Sequence, residues 1–111
     1  MRRDEALLLD ILIAARRALK YMQGVSREDF EKNEMLQDAV TRPLEIIGEA
    51  AGQVSEDYRE AHMEIPWHKM TGMRNRLIHE YFRVNYGAVW DTVRNDLPEL
   101  IQLLEKLVPP E

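Results

Sequence analysis

A chain of 111 residues without cysteine fits one ordinary domain, excludes a disulfide framework and thiolate chemistry, and suits a reducing cytoplasm. Acidic residues number 20 against 15 basic ones, a net charge of −5, so bulk charge repels nucleic acid and any contact with it must be local. No apolar run approaches the roughly 18 to 20 residues of a membrane span, which argues for a soluble protein with no membrane partner.

Met1-Arg2-Arg3 ahead of the apolar stretch 6–15 has the outline of a signal peptide, but Asp4, Glu5 and Asp10 break it, and an amphipathic helix over 4–23 is the better reading. Leu8, Ile11, Leu12, Ala15, Leu19 and Met22 recur at helical spacing on one face, and Gly24 supplies the stop. Ser26-Arg27-Glu28-Asp29 combines a Ser N-cap with first-turn acids, so a short helical element leads through Phe30. A second long helix spans 34–54, with Leu36, Val40, Leu44, Ile47 and Ala51 on its apolar side and Gly48, Ala50, Ala51 and Gly52 admitting a close neighbour. Pro43 lies inside it, removes a backbone donor and predicts a kink.

Residues 55–65 read as a polar connection with one helical turn at 56–61. Pro66 suits the first position of a third long helix, running through Trp67, Met70, Met73, Leu77 and Tyr81. A turn over 83–87 precedes a last helix over 88–107, which presents Trp90, Val93, Leu97, Ile101, Leu104 and Val108, with a second kink at Pro98 and a stop at Pro109-Pro110. No Val/Ile/Thr-rich stretch alternates with period two, and there is no internal repeat. The expected fold is all-α, an up-and-down bundle of four main helices with short extra helical turns, forming a single domain over 1–111.

The local exception to the acidic balance is residues 74–83, where Arg74, Arg76, Arg83 and His79 face a single acid, Glu80. Asn75, Arg76 and Arg83 lie four before, three before and four after His79, so all share a face if the helix continues. Arg74 precedes His79 by five residues, about 140° around an ideal helix, so one straight helix does not aim both at one atom. A bend near Glu80, or a second copy of the chain across a two-fold axis, would bring them together, and the shared dimer cleft is preferred. Histidine moves a proton in either direction near neutral pH, and arginine holds phosphate or stabilises charge on a pentavalent phosphorus. That set serves RNA cleavage without metal: the ribose 2′-hydroxyl attacks its own phosphate, His79 relays a proton and Arg74 stabilises the developing charge.

Arg74-Asn75 followed by His79 and Tyr81 resembles the R-x4-H-x-Y signature of HepT-like toxins, members of the HEPN ribonuclease superfamily. Arg42-Pro43-Leu44-Glu45-Ile46-Ile47-Gly48-Glu49-Ala50 is similar to the R-x-L-E-I-I-G-E-A helix of the same family, and Ile65-Pro66-Trp67, Gly72-Met73, Tyr81-Phe82, Trp90 and Leu97-Pro98 follow its pattern. The resemblance implies a HEPN-like homodimer acting as an endoribonuclease toxin, with RNA as substrate and no cofactor for cleavage. It also implies a small nucleotidyltransferase antitoxin, assembled with the toxin in a higher hetero-oligomer, that transfers AMP from ATP to Tyr81. The chain departs from the family pattern at Pro43 and at His68, where Arg is frequent.

Arg74 and His79 are thus the catalytic candidates, Asn75 and Tyr81 supporting residues, Arg76 and Arg83 candidates for RNA contact, and Tyr81 the modification candidate. Ion pairing with acids of neighbouring helices is the alternative for Arg76 and Arg83, core packing of its ring for Tyr81, and orientation of His79 by a hydrogen bond for Asn75. His62, Glu64 and His68 lack metal-ligand spacing, so no metal site is expected. Trp67 and Trp90 are expected as core or interface anchors. Glu45 and Glu49 share a helix face and suit salt bridges within the bundle as well as a role beside the site. The competing functional reading is a non-catalytic HEPN adaptor that binds a partner nucleotidyltransferase.

Overall fold

The computed structural model describes residues 2–80 and 83–109. Among them every regular element is helical: α1 Arg2–Tyr21, α2 Arg27–Lys32, α3 Glu34–Gln53, α4 Glu56–Ala61, α5 Trp67–His79, α6 Tyr86–Asp91, a π-helical turn Thr92–Asp96 and α7 Leu97–Glu105. Helices α2, α3, α4 and α6 start where a side-chain oxygen takes over an orphan backbone N–H. Ser26 Oγ accepts from Asp29 N at 3.1 Å, Asn33 Oδ1 from Leu36 N at 3.0 Å, Ser55 Oγ from Tyr58 N at 3.2 Å and Asn85 Oδ1 from Ala88 N at 3.0 Å. Such caps contribute about 1 kcal/mol each. α1 ends at Tyr21, short of residue 23, and Gly24 at φ 74° turns the chain in a backbone region that favours glycine.

α3 lies between α1 and α5, packing against both, and α7 returns along α1. The stripe read on α1 is the core face: Leu8, Ile11, Ala15 and Met22 are fully buried, and Val40, Ile47 and Ala51 of α3 and Leu104 of α7 join the same cluster. Full burial of a Leu or Ile side chain is worth roughly 1.5–3 kcal/mol, so this seam dominates the stability of the fold. α3 runs through Pro43 as one helix, with Pro43 itself buried. Gln37 sutures α2 to α3 by donating to the carbonyls of Phe30 and Glu31 at 3.0 and 3.1 Å.

Two of the polar ties that cross long stretches of chain involve buried or part-buried groups. Asp4, only 2% exposed, accepts from Ser55 N at 2.9 Å and from Ser55 Oγ at 2.6 Å, which fixes the start of α1 to the N-cap of α4. Those two bonds hold the Asp4 carboxyl below its ordinary range, against the opposing effect of burial. Arg94, in the π turn, donates to the carbonyls of Met22 and Val25 at 3.0 and 2.6 Å, and its guanidinium lies 4.6 Å from the centre of the Trp90 ring.

The C-terminal third departs from the single helix expected over 88–107. Asn85 caps it early, so helix begins at Tyr86 inside the expected 83–87 turn, and the ladder then widens, Leu97 N–H donating five residues back to Thr92. Pro98 explains the position. A proline has no N–H and its ring crowds the carbonyl four residues earlier, and a wider turn relieves both. What the structure shows at the predicted second kink is a π turn immediately before the proline.

Candidate active site

α5 carries most of the predicted site. Trp67, Met70 and Leu77 bury one side of the helix against the core, and the Trp67 indole donates to the His62 carbonyl at 3.0 Å, anchoring its first turn. The opposite side leaves Asn75, Arg76 and His79 exposed, with Arg74 half-buried. α5 is regular from Trp67 to His79, so the five-residue separation of Arg74 and His79 places them about 140° apart around the axis and roughly 7.5 Å apart along it. Within one copy of the chain the helix does not bring them together.

Arg74 has a specific seat. Gly48 of α3 is buried beneath it, and a Cβ at that position would run into Cβ of Arg74 and stand 2.6 Å from the Met70 carbonyl. The absence of a side chain at Gly48 is what lets α5 settle this closely on α3. Gly52, one turn on, is not used in this way, since a Cβ there would meet only Thr71 Cγ2 at 3.7 Å. The Arg74 Nε is buried without a hydrogen-bond partner, and Nη1 reaches Asn75 Oδ1 at 3.4 Å. Asn75 is thus turned to Arg74, and not to His79 as expected for an orienting bond.

His79 is the last residue of α5, with Glu80 as C-cap, and Arg83 N donates to the Glu80 carbonyl at 2.7 Å in the turn that follows. The helix does not continue far enough to put Arg83 on the His79 face, and Arg83 is an exposed residue of the connection. Tyr81, the modification candidate and supporting residue, lies outside the described residues. Arg76 stands at the rim of a small cleft with Leu44, Met73 and Leu97 among its walls, and Lys69 and Asp96, 3.5 Å apart, sit on the same cleft.

The ion pairs among the described residues involve none of Arg74, Arg76, His79 or Arg83, nor Glu45 and Glu49. Arg76 and His79 occupy the last turn of α5, where the helix dipole favours positive charge. Among the described residues an acidic chain therefore carries a basic helix end with no carboxylate paired to it.

His62 and His68 do not approach one another as ligands would. His62 stacks on Tyr58 with ring centres 4.1 Å apart and its Nδ1 lies 3.1 Å from the Tyr58 carbonyl, while His68 is exposed on α5. Among the described residues no group of three or more His, Cys, Asp or Glu side chains is arranged to hold a metal ion. No described helix is long and apolar enough to cross a membrane. Trp67 is buried, and Trp90 is half-buried against Phe30 at 6.1 Å. The seat at Gly48 was visible in the sequence only as one of several small residues, and its pairing with Arg74 comes from the packing of two helices.

The family model described as Ribonuclease HepT-like matches residues 11–107. The chain is 42% identical over 93 residues to a provisionally named RNase of Caldanaerobacter subterraneus subsp. tengcongensis, covering 84% of this chain and 83% of that one. It is 42% identical over 100 residues to a protein of Thermococcus cleftensis named "Probable ribonuclease HepT", covering 90% and 91% of the two chains. A provisionally named RNase of Methanocaldococcus jannaschii is 39% identical over 101 residues, covering 91% and 93%. No solved structure matches the chain.

Proposed function

The chain belongs to the ribonuclease HepT-like family, and from that membership and the geometry of α5 we propose that it is a metal-independent endoribonuclease whose reacting groups, Arg74 and His79, meet in a cleft between two copies of the chain. The observation that carries this reading is the set of basic groups of α5 that enter no ion pair among the described residues, in a chain of net charge −5. The separation of Arg74 and His79 around one regular helix supports a dimer, because a two-fold axis lets His79 of one copy face Arg74 of the other.

In the proposed reaction the ribose 2′-oxygen bonds to the adjacent phosphorus and the bond from phosphorus to the 5′-oxygen breaks. Imidazole nitrogen of His79 takes up and returns the proton that passes from the 2′-hydroxyl to the leaving 5′-oxygen. Arg74 donates to the equatorial phosphate oxygens as charge builds on them, with Asn75 steadying its guanidinium. The products carry a 2′,3′-cyclic phosphate and a 5′-hydroxyl, and DNA is not cut because it lacks the nucleophile.

The resemblance of the blocks around Arg42–Ala50 and Arg74–Tyr81 supports a further role as the toxin of a pair whose antitoxin is a small nucleotidyltransferase. AMP moved from ATP to Tyr81, two residues beyond His79, adds negative charge and bulk next to the cationic cluster and opposes RNA entry. The test of the catalytic reading is cleavage of labelled RNA by purified protein in excess chelator, comparing wild type with Arg74→Ala and His79→Ala. Cleavage that survives chelation and is lost in both folded variants is the expected result. Chelator-sensitive cleavage, or a His79→Ala chain that cuts normally, would sink it.

A further inference from the structure

Arg42 and Pro43 head the sequence block that also carries Gly48, and neither has a part in the chemistry at α5. Both line a groove of about 260 Å³ between α1 and α3, whose walls include Asp10, Ile13, Arg17 and Tyr21. These four residues of α1 succeed one another at three- and four-residue steps, so they form one stripe along the helix. α5 packs over Gly48 on another side of α3, so the groove is separate from the seat of Arg74.

The groove is chemically prepared for an anion joined to a flat ring. Arg17 and Arg42 are exposed and enter no ion pair or side-chain hydrogen bond among the described residues, whereas Arg16 is held by Glu105, Arg27 by Glu31 and Arg94 by two carbonyls. Ile13 and Tyr21 are 43% and 39% exposed, although large apolar side chains elsewhere are mostly in the core. Ala39 and Pro43 of α3 complete its lining. Asp10 lies seven residues before Arg17, about 10 Å along α1, and directs the anionic part of a ligand toward the arginine end.

We propose that this groove is a second RNA-contact site, taking one nucleotide of a single-stranded segment with its phosphodiester on Arg17 and Arg42 and its base against Tyr21. An acidic peptide would satisfy the two guanidinium groups but would leave the aromatic face without a partner, and a nucleotide uses both. The choice of RNA rests on the ribonuclease reading, and the site would hold the strand away from the reacting phosphate, raising affinity without taking part in bond breaking.

Binding is measured with the full chain carrying His79→Ala, which leaves the strand intact, using fluorescently labelled single-stranded RNA across a salt series. Adding Arg17→Ala and Arg42→Ala together weakens binding at least tenfold and lowers the slope of log affinity against log salt by about 0.7 per arginine. Tyr21→Ala weakens binding about tenfold and Tyr21→Phe restores it. In the otherwise wild-type chain these changes raise KM for RNA and leave kcat and helical content unaltered. Unchanged affinity and salt slope in the double arginine variant overturn the proposal, whatever His79→Ala does to cleavage, which decides the ribonuclease reading separately. Loss of self-association in place of RNA affinity assigns the groove to a second copy of the chain and equally overturns it. Free AMP that competes as strongly as the strand, through the same arginines, reassigns the groove to a mononucleotide and does the same.

Discussion

Gly48 and Arg74 are in contact across the α3–α5 seam, the glycine of one helix directly under the Cβ of the arginine of the other. The contact joins the two blocks of sequence that carry the family resemblance, and it makes the placement of a candidate catalytic side chain depend on a missing methyl group. Gly48→Ala therefore forces α5 outward or Arg74 off its rotamer, because the Met70 carbonyl is also only 2.6 Å from the added carbon. The expected cost is about 1–3 kcal/mol in urea unfolding, accompanied by loss of RNA cleavage at temperatures where the variant is still folded. Gly52→Ala meets only ordinary contact and is expected to be neutral to about 1 kcal/mol stabilising, with cleavage retained. Equal behaviour of the two variants would contradict the seat.

The proposed cleft predicts complementation. Arg74→Ala and His79→Ala chains are each inactive alone, but a mixed dimer pairs the intact arginine of one copy with the intact histidine of the other. Random mixing after subunit exchange makes about half of the dimers mixed, each with one site of two, so activity returns to about a quarter of wild type. A site contained within one chain would show no recovery at any mixing ratio.

RNA whose ribose 2′-hydroxyl at the cleavage position is replaced by hydrogen or O-methyl is expected to resist cutting while still binding. Mass spectrometry of the products from unmodified RNA should show 2′,3′-cyclic phosphate ends. Ends bearing a 5′-phosphate would point to attack by water and remove the 2′-oxygen from the mechanism.

Asp4 gives the fold an acid-sensitive tie. Its carboxyl is held below the ordinary value of 3.8 by Ser55, so between the folded and unfolded values the unfolded chain binds more protons and stability rises with pH. The contribution is fully present above about 3.8 and disappears as pH falls through the lower folded value. Asp4→Asn is expected to cost about 1.5–3 kcal/mol at pH 7, the range for hydrogen bonds to a charged group. The gap between wild type and variant, read from urea unfolding, should narrow as pH is lowered below the ordinary carboxylate range, and a gap independent of pH would rule out the ionised tie.

Arg94→Ala removes two hydrogen bonds to carbonyls beyond α1 and the contact with the Trp90 ring, and is expected to destabilise the fold by about 1.5–3 kcal/mol. Arg94→Lys keeps a charge but not the planar fork, and should recover only part of the loss. Thermal unfolding followed by circular dichroism distinguishes the three chains.

The stripes of Leu8, Ile11, Ala15 and Met22, and of Val40, Ile47 and Ala51, were legible because amphipathic periodicity reports directly on which side a helix buries. So was the short helix after Ser26, since a cap is a local signal. Asn85 is an equally local cap, yet the residues around it read as a turn, because the short stretch between α5 and α6 carries no period of its own. The tie from Asp4 to Ser55 spans 51 residues and leaves no trace in spacing, Asp4 reading only as a charge that interrupts an apolar run. At α5 the identity of the polar residues was readable, whereas the end of the helix at His79, and with it the departure of Arg83 from the His79 face, depended on where the next helix begins.

The wide turn at Thr92–Asp96 also gives this fold a place to change length. Elsewhere in a helix, the loss of one residue rotates everything beyond it by about 100°, which here would swing Leu97, Leu100 and Leu104 away from the core. A turn already stretched to a five-residue step can shed a residue and close to a four-residue one, leaving the downstream leucines on the side they occupy now, provided Pro98 is exchanged for a residue with an N–H. The proline and the slack before it are therefore two parts of one solution, and a homologue that has dropped one is expected to have dropped both.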